Sequence, residues 1–300
     1  MPDPYEMPTD EELRTSGAQV TVGVLHPGEM GSAVGASAAE AGARVIWVSE
    51  GRSAATHERA EADGLHDVHW LNGLVNQSHI ILSICPPHAA EEVAEAVTTL
   101  GYHRIYVDAN AVSPATVRRM AARIEETGAR FVDGGIIGGP PRKAGTTRLY
   151  LSGEYAPRVA TALAGGPLEV CVLDAPVGAA SALKMAYAAW TKGTSALLAA
   201  IEALAVHEDV LEPLLDEWRR GRSGLEERAE ALGGAAAKAW RWVGEMEQIA
   251  ASFEAAGLPG GFHQAAAEVF DRMTQFKDDR DAPGGPTLAR TLLPADPPRD

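Results

Sequence analysis

The stretch VTVGVLHPGEMGSAVG, residues 20–35, decides the fold of the first half of the chain. An apolar run of six residues leads into a short glycine-containing loop, and small helix-forming residues follow the loop. Compared with the G-x-G-x-x-G fingerprint of dinucleotide-binding loops, Gly28 takes the second glycine position, Gly31 the third, and His26 the first. The backbone N–H groups of such a loop and the dipole of the following helix can bind a pyrophosphate.

We therefore predict a dinucleotide-binding loop, with an ordinary strand-to-helix turn as the alternative interpretation. The predicted cofactor-binding residues of this loop are His26, Pro27, Gly28, Glu29, Met30 and Gly31.

The composition excludes several classes of protein. Of the 300 residues, 46% are hydrophobic and 22% charged, and the formal net charge is −15. An acidic surface repels phosphate backbones and anionic membranes, so neither nucleic acid nor a membrane is an expected partner. The two cysteines and nine histidines show no metal-ligand spacing, so we predict no metal site. Residues 1–17 lack the apolar core of a signal peptide, so a cytoplasmic location is expected.

The first half of the chain alternates short apolar runs with helical patterns, which is typical of a parallel sheet with crossover helices. We predict an α/β fold, a doubly wound and mostly parallel Rossmann sheet. The predicted strands lie at residues 20–25, 44–49, 79–85, 104–109 and 130–137, and two further runs at 147–153 and 168–174 extend the sheet.

The second half is helical. Residues 180–205 form a long run of good helix formers with few charges, and three more helical patterns follow it. A helix that is apolar around most of its circumference needs cover on several sides, so we predict a homodimer. The expected organisation is a flexible tail at 1–17, a Rossmann domain at 18–178, an all-α domain at 179–276 and a flexible tail at 277–300.

The residues after the second strand indicate the type of cofactor. Ser49 lies where an enzyme that uses NAD carries an acid for the ribose hydroxyls, and serine cannot replace that acid. Arg52 and Ser53 suit a 2′-phosphate, so NADP(H) is favoured over NAD(H), while Glu50 keeps NAD(H) open. At the predicted carboxyl ends of two later strands, further cofactor contacts are expected from Cys85, Pro86 and Asn110.

Five motifs, in their order and spacing, resemble the superfamily of 6-phosphogluconate and 3-hydroxyisobutyrate dehydrogenases. They are GVLHPGEMG, ILSICPP, VDANAVSP, DGGIIGG and GAASALKMAY. More narrowly, HPGEMG, SALKMAYAAWTKG, WRWVGEME and GLPGGFH are similar to a bacterial branch described as phosphogluconate dehydrogenase-like. The resemblance implies a Rossmann domain followed by an all-helical domain built on one long helix, and a homodimer.

The resemblance also implies a catalytic lysine. In this superfamily a lysine near the start of the long helix, within G-x-G-x-x-x-K-x-x-N, is the acid/base group for the substrate hydroxyl. Gly178 and Lys184 match the first glycine and the lysine, whereas Ala180 replaces the second glycine. The asparagine falls at Tyr187 or Ala188, and Tyr187, three residues after Lys184, is the second predicted catalytic residue.

The substrate loop departs from the family pattern. Ile137 replaces the serine that precedes the paired glycines, whereas Gly138 and Gly139 remain able to offer backbone N–H groups to a carboxylate. Trp190 is a further predicted substrate contact, although an aromatic residue on a long helix also suits a core or a dimer interface. The basic side chains of PPRK, residues 140–143, are candidates for an anionic group of the substrate.

The sequence thus predicts an NADP(H)-dependent oxidoreductase that transfers hydride between the nicotinamide and the C–OH or C=O group of a small 3-hydroxy-acid-like substrate. Imine reduction on the same scaffold is one alternative, but relatives with that activity usually carry aspartate or tyrosine where this chain has Lys184. The other alternative is a catalytically inactive regulator that binds NADPH, because the family's asparagine and serine are missing.

Overall fold

The computed structural model describes residues 19–221, 224–279 and 281–294. The chain divides into two compact units, the first ending at Met185 and the second beginning at Ala186. This division falls inside the long helix, whereas the sequence predicts a domain boundary just before that helix. The predicted tail at 1–17 lies outside the described residues.

The first unit contains one eight-stranded sheet with the strand order β3-β2-β1-β4-β5-β6-β7-β8. Neighbouring strands are parallel except for β6 and β7, which are antiparallel. This confirms the predicted doubly wound, mostly parallel fold. The strands are β1 Thr21–Val24, β2 Arg44–Trp47, β3 His66–Asp67, β4 Ile80–Ser83, β5 Ile105–Asp108, β6 Arg130–Gly138, β7 Thr147–Ser152 and β8 Glu169–Val172.

Helices cover both faces of this sheet, which explains why its central strands are continuous apolar runs. One face packs against the first, second and sixth helices, and the other packs against the third, fourth and fifth. The helices are α1 Glu29–Glu40, α2 Ala54–Ala62, α3 Leu71–Gln77, α4 Ala90–Thr99, α5 Pro114–Glu125 and α6 Ala156–Leu163, and a 3₁₀ turn lies at Pro87–Ala89. The strand order changes direction between β1 and β4, and ligands of such sheets bind at the carboxyl ends of the strands near this point.

The long helix α7, Ala179–His207, runs from the first unit into the second. The described part of the second unit is otherwise helical, as predicted. Its helices are α8 Leu211–Arg220, α9 Leu225–Glu230, α10 Leu232–Ala236, α11 Ala239–Ala255, α12 Gly261–Arg272 and α13 Gly285–Leu292, with a 3₁₀ turn at Thr274–Phe276. Among the described residues, no helix is both long enough and apolar enough to cross a membrane.

Helix α13 corrects one expectation. The sequence predicts a flexible tail from residue 277, but residues 285–292 form a helix whose Leu288 and Leu292 are buried. Proline in the first turn of this helix is favourable because that position needs no backbone N–H donor. Residues 295–300 of the predicted tail lie outside the described part of the chain.

Candidate functional site

The loop between β1 and α1 has the geometry of a dinucleotide-binding turn. The Gly28 N–H donates to the His26 carbonyl oxygen at 2.8 Å, and α1 begins at the next residue, Glu29. A side chain at Gly31 would overlap the His26 carbonyl oxygen, so only glycine lets the helix start this close to the loop. A Cβ atom at Gly28 would meet no atom of the described residues within 4 Å, so this side of the loop is open to a ligand.

Two nitrogen atoms beside this loop are buried without a hydrogen-bond partner in the part of the chain that the structure describes. They are Nδ1 of His26 and Nε of Arg52. Burial, and secondly the positive charge of Arg52, lower the pKa of His26 to about 4, so its imidazole is neutral at physiological pH. Burial also lowers the pKa of Arg52. Buried polar atoms normally have partners, and an anionic dinucleotide would supply them, so these residues fit the predicted cofactor.

The end of β2 lies beside a carboxylate that the sequence analysis missed. Ser49 Oγ is 3.1 Å from His69 Nδ1, and this nitrogen is 3.0 Å from a carboxylate oxygen of Asp67 in β3. Burial raises the pKa of Asp67, but hydrogen bonds from the His69 N–H and Ser49 outweigh it, so the pKa is lowered. The sequence does not predict β3, because two residues are too few to produce a pattern.

Two other polar side chains after β2, Ser53 and Arg59, have structural partners. Ser53 is the N-cap of α2, and its hydroxyl oxygen accepts a hydrogen bond from the Thr56 N–H at 3.3 Å. Arg59 donates a hydrogen bond to the Pro27 carbonyl oxygen at 3.3 Å and so attaches α2 to the loop between β1 and α1. Among the side chains predicted for a 2′-phosphate, Arg52 has an unsatisfied donor beside the loop.

Asn110 connects the carboxyl ends of β4 and β5. Its amide nitrogen donates to Ser83 Oγ at 3.0 Å and to Asp108 Oδ1 at 2.5 Å, and its carbonyl oxygen accepts from the Cys85 N–H at 2.6 Å. The Asn110 side chain thus shapes this edge through internal bonds, and Pro86 directly precedes the 3₁₀ turn. Burial, with a smaller contribution from Asp108, raises the pKa of Cys85 to about 12, which argues against a nucleophilic thiol.

The predicted substrate loop follows β6. Gly138 has a φ of +121°, and a side chain there would overlap the carbonyl oxygen of Thr146, the residue just before β7. Its role is therefore to permit the turn into β7. Gly139 is exposed and has open space where a side chain would lie, so its backbone remains accessible to a ligand. Ile137 is 8% exposed and pairs with Arg148 in the sheet.

Of the two basic side chains within residues 140–143, Arg142 is held by an ion pair, whereas Lys143 stays a prediction. Its guanidinium makes two hydrogen bonds to the Asp63 carboxylate, at 2.5 and 2.9 Å. Ser32, in the first turn of α1, donates to the same carboxylate at 2.5 Å. The arginine thus connects the predicted substrate loop to α1, the helix that follows the predicted dinucleotide loop.

Lys184 lies in the second turn of α7, directly over β6. A Cβ atom at Gly135 would be 2.6 Å from the Ala180 carbonyl oxygen and 3.2 Å from the Lys184 Cβ, so glycine is needed for this approach. Gly135 lies just beyond the level at which β4 and β5 end, so Lys184 is at the carboxyl edge of the sheet. Tyr187 is 49% exposed on the same helix.

Two families match the sequence. The family described as the NAD binding domain of 6-phosphogluconate dehydrogenase matches residues 21–163, and the domain of unknown function DUF1932 matches residues 205–273. The first match lies within the first compact unit and the second within the second unit.

Among curated proteins, an uncharacterized 28.5 kDa protein of Methanothermus fervidus is 33% identical over 168 residues, which are 56% of this chain and 64% of that protein. The chain thus matches slightly less than two thirds of this relative's length.

Two solved structures show the same fold over both units. A conserved protein of unknown function, described as structurally similar to 3-hydroxyacid dehydrogenases, has a TM-score of 0.62 at 27% identity, covering 86% of this chain and 98% of its own. The 3-hydroxyisobutyrate dehydrogenase of Mycobacterium tuberculosis, solved with L-serine, has a TM-score of 0.66 at 16% identity, covering 92% and 98%.

Proposed function

We propose, because this chain belongs to the superfamily of 6-phosphogluconate and 3-hydroxyisobutyrate dehydrogenases, that it is an NADP(H)-dependent oxidoreductase of small 3-hydroxy-acid-like substrates. The observation that carries the proposal is the position of Lys184. The lysine lies at the carboxyl edge of the sheet, and the dinucleotide loop at Gly28 is at the same edge. A proton-transferring amine and a cofactor loop at one edge suit a reaction in which hydride and proton leave the same C–OH group.

The proposed chemistry divides between the cofactor and the protein. When bound, the nicotinamide supplies or accepts the hydride. Lys184 accepts the hydroxyl proton when the alcohol is oxidised and returns it when the carbonyl is reduced. The loop from His26 to Gly31 and the side chain of Arg52 hold the dinucleotide, and Gly139 offers its backbone to the carboxylate of the substrate.

Arg52 supports the preference for NADP(H). Its unsatisfied Nε lies beside the dinucleotide loop, and a guanidinium binds phosphate more strongly than it binds a ribose hydroxyl. In the Arg52→Ala variant we expect the Kd of NADPH to rise about 10- to 100-fold, as for the loss of a charge-assisted hydrogen bond. The Kd of NADH should change by less than about 3-fold, as measured by calorimetry. Equal losses for the two cofactors would show that Arg52 does not recognise the 2′-phosphate.

The exposed face of α7 supports the proposed homodimer. Along this helix Trp190, Leu197 and Leu204 recur every seven residues, with exposed fractions of 69, 60 and 61%. Tyr187 and Ile201 are also exposed, and they extend the same stripe with the heptad spacing of packed helices. An apolar stripe of this size on one helix is the seam that a second copy would cover.

We expect the double variant Leu197→Glu/Leu204→Glu to be monomeric because two charges would be buried in the seam. Light scattering at micromolar concentration measures the change from two chains to one. Leu100→Glu, at an exposed leucine of the first unit, is the control and should leave the dimer intact. A wild-type monomer would contradict the proposed assembly.

Oxidation and reduction of a substrate panel test the proposed function. The panel contains 3-hydroxy acids with NADP⁺, and the matching 3-oxo acids, aldehydes and cyclic imines with NADPH. Turnover of hydroxy or oxo acids is expected. Turnover of imines alone would point to imine reduction, and tight NADPH binding without any turnover would point to an inactive regulator.

A further inference from the structure

A buried aspartate fixes the start of the helix that carries Lys184. Asp133, in the middle of β6, is fully buried, and its carboxylate accepts four hydrogen bonds. Oδ2 accepts from the N–H groups of Gly178 and Ser181, at 2.9 and 3.1 Å, and from Ser152 Oγ at 2.9 Å. Oδ1 accepts from Ser181 Oγ at 2.6 Å.

These hydrogen bonds satisfy backbone N–H groups at the start of α7. The first N–H groups of a helix have no partner within the helix, and the helix dipole concentrates positive charge there. The carboxylate of Asp133 supplies the acceptor at two of these groups, and Ser152 Oγ accepts from a third, the Ala180 N–H, at 3.1 Å. A charged acceptor held by four donors in a buried site is a strong attachment of a helix to a strand.

The same face of β6 sets the position of the lysine. Asp133 and Gly135 are two residues apart on one strand, so they point to the same side of the sheet. Asp133 holds the first turn of α7, and Gly135 lets the next turn approach until the Lys184 Cβ lies directly above the strand. Lys184 is only three residues beyond Ser181, which Asp133 binds through both its backbone and its hydroxyl.

We propose that Asp133 is a positioning residue for Lys184: its buried carboxylate fixes the height and rotation of α7 over β6, and thereby aims the lysine amine at the carboxyl edge of the sheet. The proposal rests on the proposed function, since it assigns a partner to the lysine of that reaction. Gly178, with a φ of +100°, provides the turn that brings the N-terminus of α7 over the carboxylate.

The Asp133→Asn variant tests this role. Asparagine has the same shape, but it loses the charge and directs an N–H₂ group at donors. We expect kcat to fall about 10- to 100-fold, because a displacement of about 1 Å in a catalytic group has effects of this size. The Kd of NADPH should stay within about 3-fold of the wild type, because the dinucleotide loop is on other elements.

A second variant and a matched control separate positioning from stability. Ser181→Ala removes one of the four bonds and should give a smaller loss of kcat in a folded protein. The control is Ser113→Ala. Ser113 is the N-cap of α5, and the substitution removes the hydrogen bond that its Oγ accepts from the Thr116 N–H at 3.2 Å. This control should lower the melting temperature and leave kcat unchanged.

The NMR signal of Lys184 reports on the position of the lysine without any need for turnover. After reductive ¹³C-methylation, the Lys184 signal is assigned by its loss in Lys184→Ala. Its chemical shift should move in Asp133→Asn and Ser181→Ala and stay in place in Ser113→Ala. A Lys184 signal and a kcat that remain at wild-type values in both Asp133→Asn and Ser181→Ala would overturn the proposal. If the wild type turns over no substrate, the proposed function fails and the Lys184 signal alone decides the role of Asp133.

Discussion

The Lys184→Ala variant is expected to lose at least about 100-fold in kcat, the lower range for removal of a general acid/base group. The lysine side chain is half-buried on α7 and contributes little to the core, so the variant should fold and bind NADPH as the wild type does. Steady-state kinetics with a turned-over hydroxy acid measures the loss, and calorimetry measures the Kd of NADPH.

The Lys184→Arg variant distinguishes proton transfer from charge. Arginine keeps a positive charge at this position but does not give up its proton at physiological pH, so it cannot act as the base. We therefore expect Lys184→Arg to be about as inactive as Lys184→Ala. Recovery of most of the activity by arginine would mean that Lys184 acts through its charge, and full activity of Lys184→Ala would contradict the mechanism.

Substitution of the two loop glycines gives the second large effect on cofactor binding, and only one of the two substitutions is expected to destabilise the fold. In Gly31→Ala, the new methyl group would overlap the His26 carbonyl oxygen, so α1 must move and the loop must open. We expect a loss of about 1–3 kcal/mol in the free energy of unfolding, typical of overpacking, and a rise of at least about 100-fold in the Kd of NADPH.

Gly28→Ala is the matched comparison, because the space beside Gly28 is open. The free energy of unfolding should change little, whereas the Kd of NADPH should rise at least about 10-fold if the loop backbone approaches the phosphates here. Denaturant unfolding and calorimetry on both variants separate the two effects. Unchanged NADPH affinity in Gly28→Ala would show that the cofactor does not lie against this loop.

The strands and the first loop of the first unit could be predicted because short stretches of sequence are enough to specify them. The seven predicted strands are present, and the central ones were easiest to predict because a strand buried on both faces is a continuous apolar run. The first loop was recognisable because glycine at positions 28 and 31 stands between a strand and a helix. The helix at 285–292 was missed because the proline and glycine around it outweighed its Leu288–Leu292 pattern, although proline at a helix start was the available signal.

The parts of the site that escaped prediction depend on contacts between residues far apart in the chain. Arg142 and Asp63 are 79 residues apart, and Asp133 meets Ser181 across 48 residues. No local pattern joins such pairs, so the sequence offers Arg142 as a substrate contact, whereas the structure pairs it with Asp63. The sequence offered one signal for Asp133, since it is an acid inside an otherwise apolar strand pattern. A carboxylate buried in such a strand requires several hydrogen-bond donors, and this requirement pointed to distant partners.

The central claim, hydride transfer between a nicotinamide and the carbon of a C–OH group, is tested most directly with NADPH deuterated at C4 of the nicotinamide. The wild-type protein is incubated with this cofactor and a panel of 3-oxo acids and aldehydes, and the products are analysed by mass spectrometry. The proposed function predicts one deuterium at the carbinol carbon of the alcohol product. Alcohol products that carry no deuterium at the carbinol carbon, formed by a protein that binds NADPH, would contradict the proposed hydride transfer.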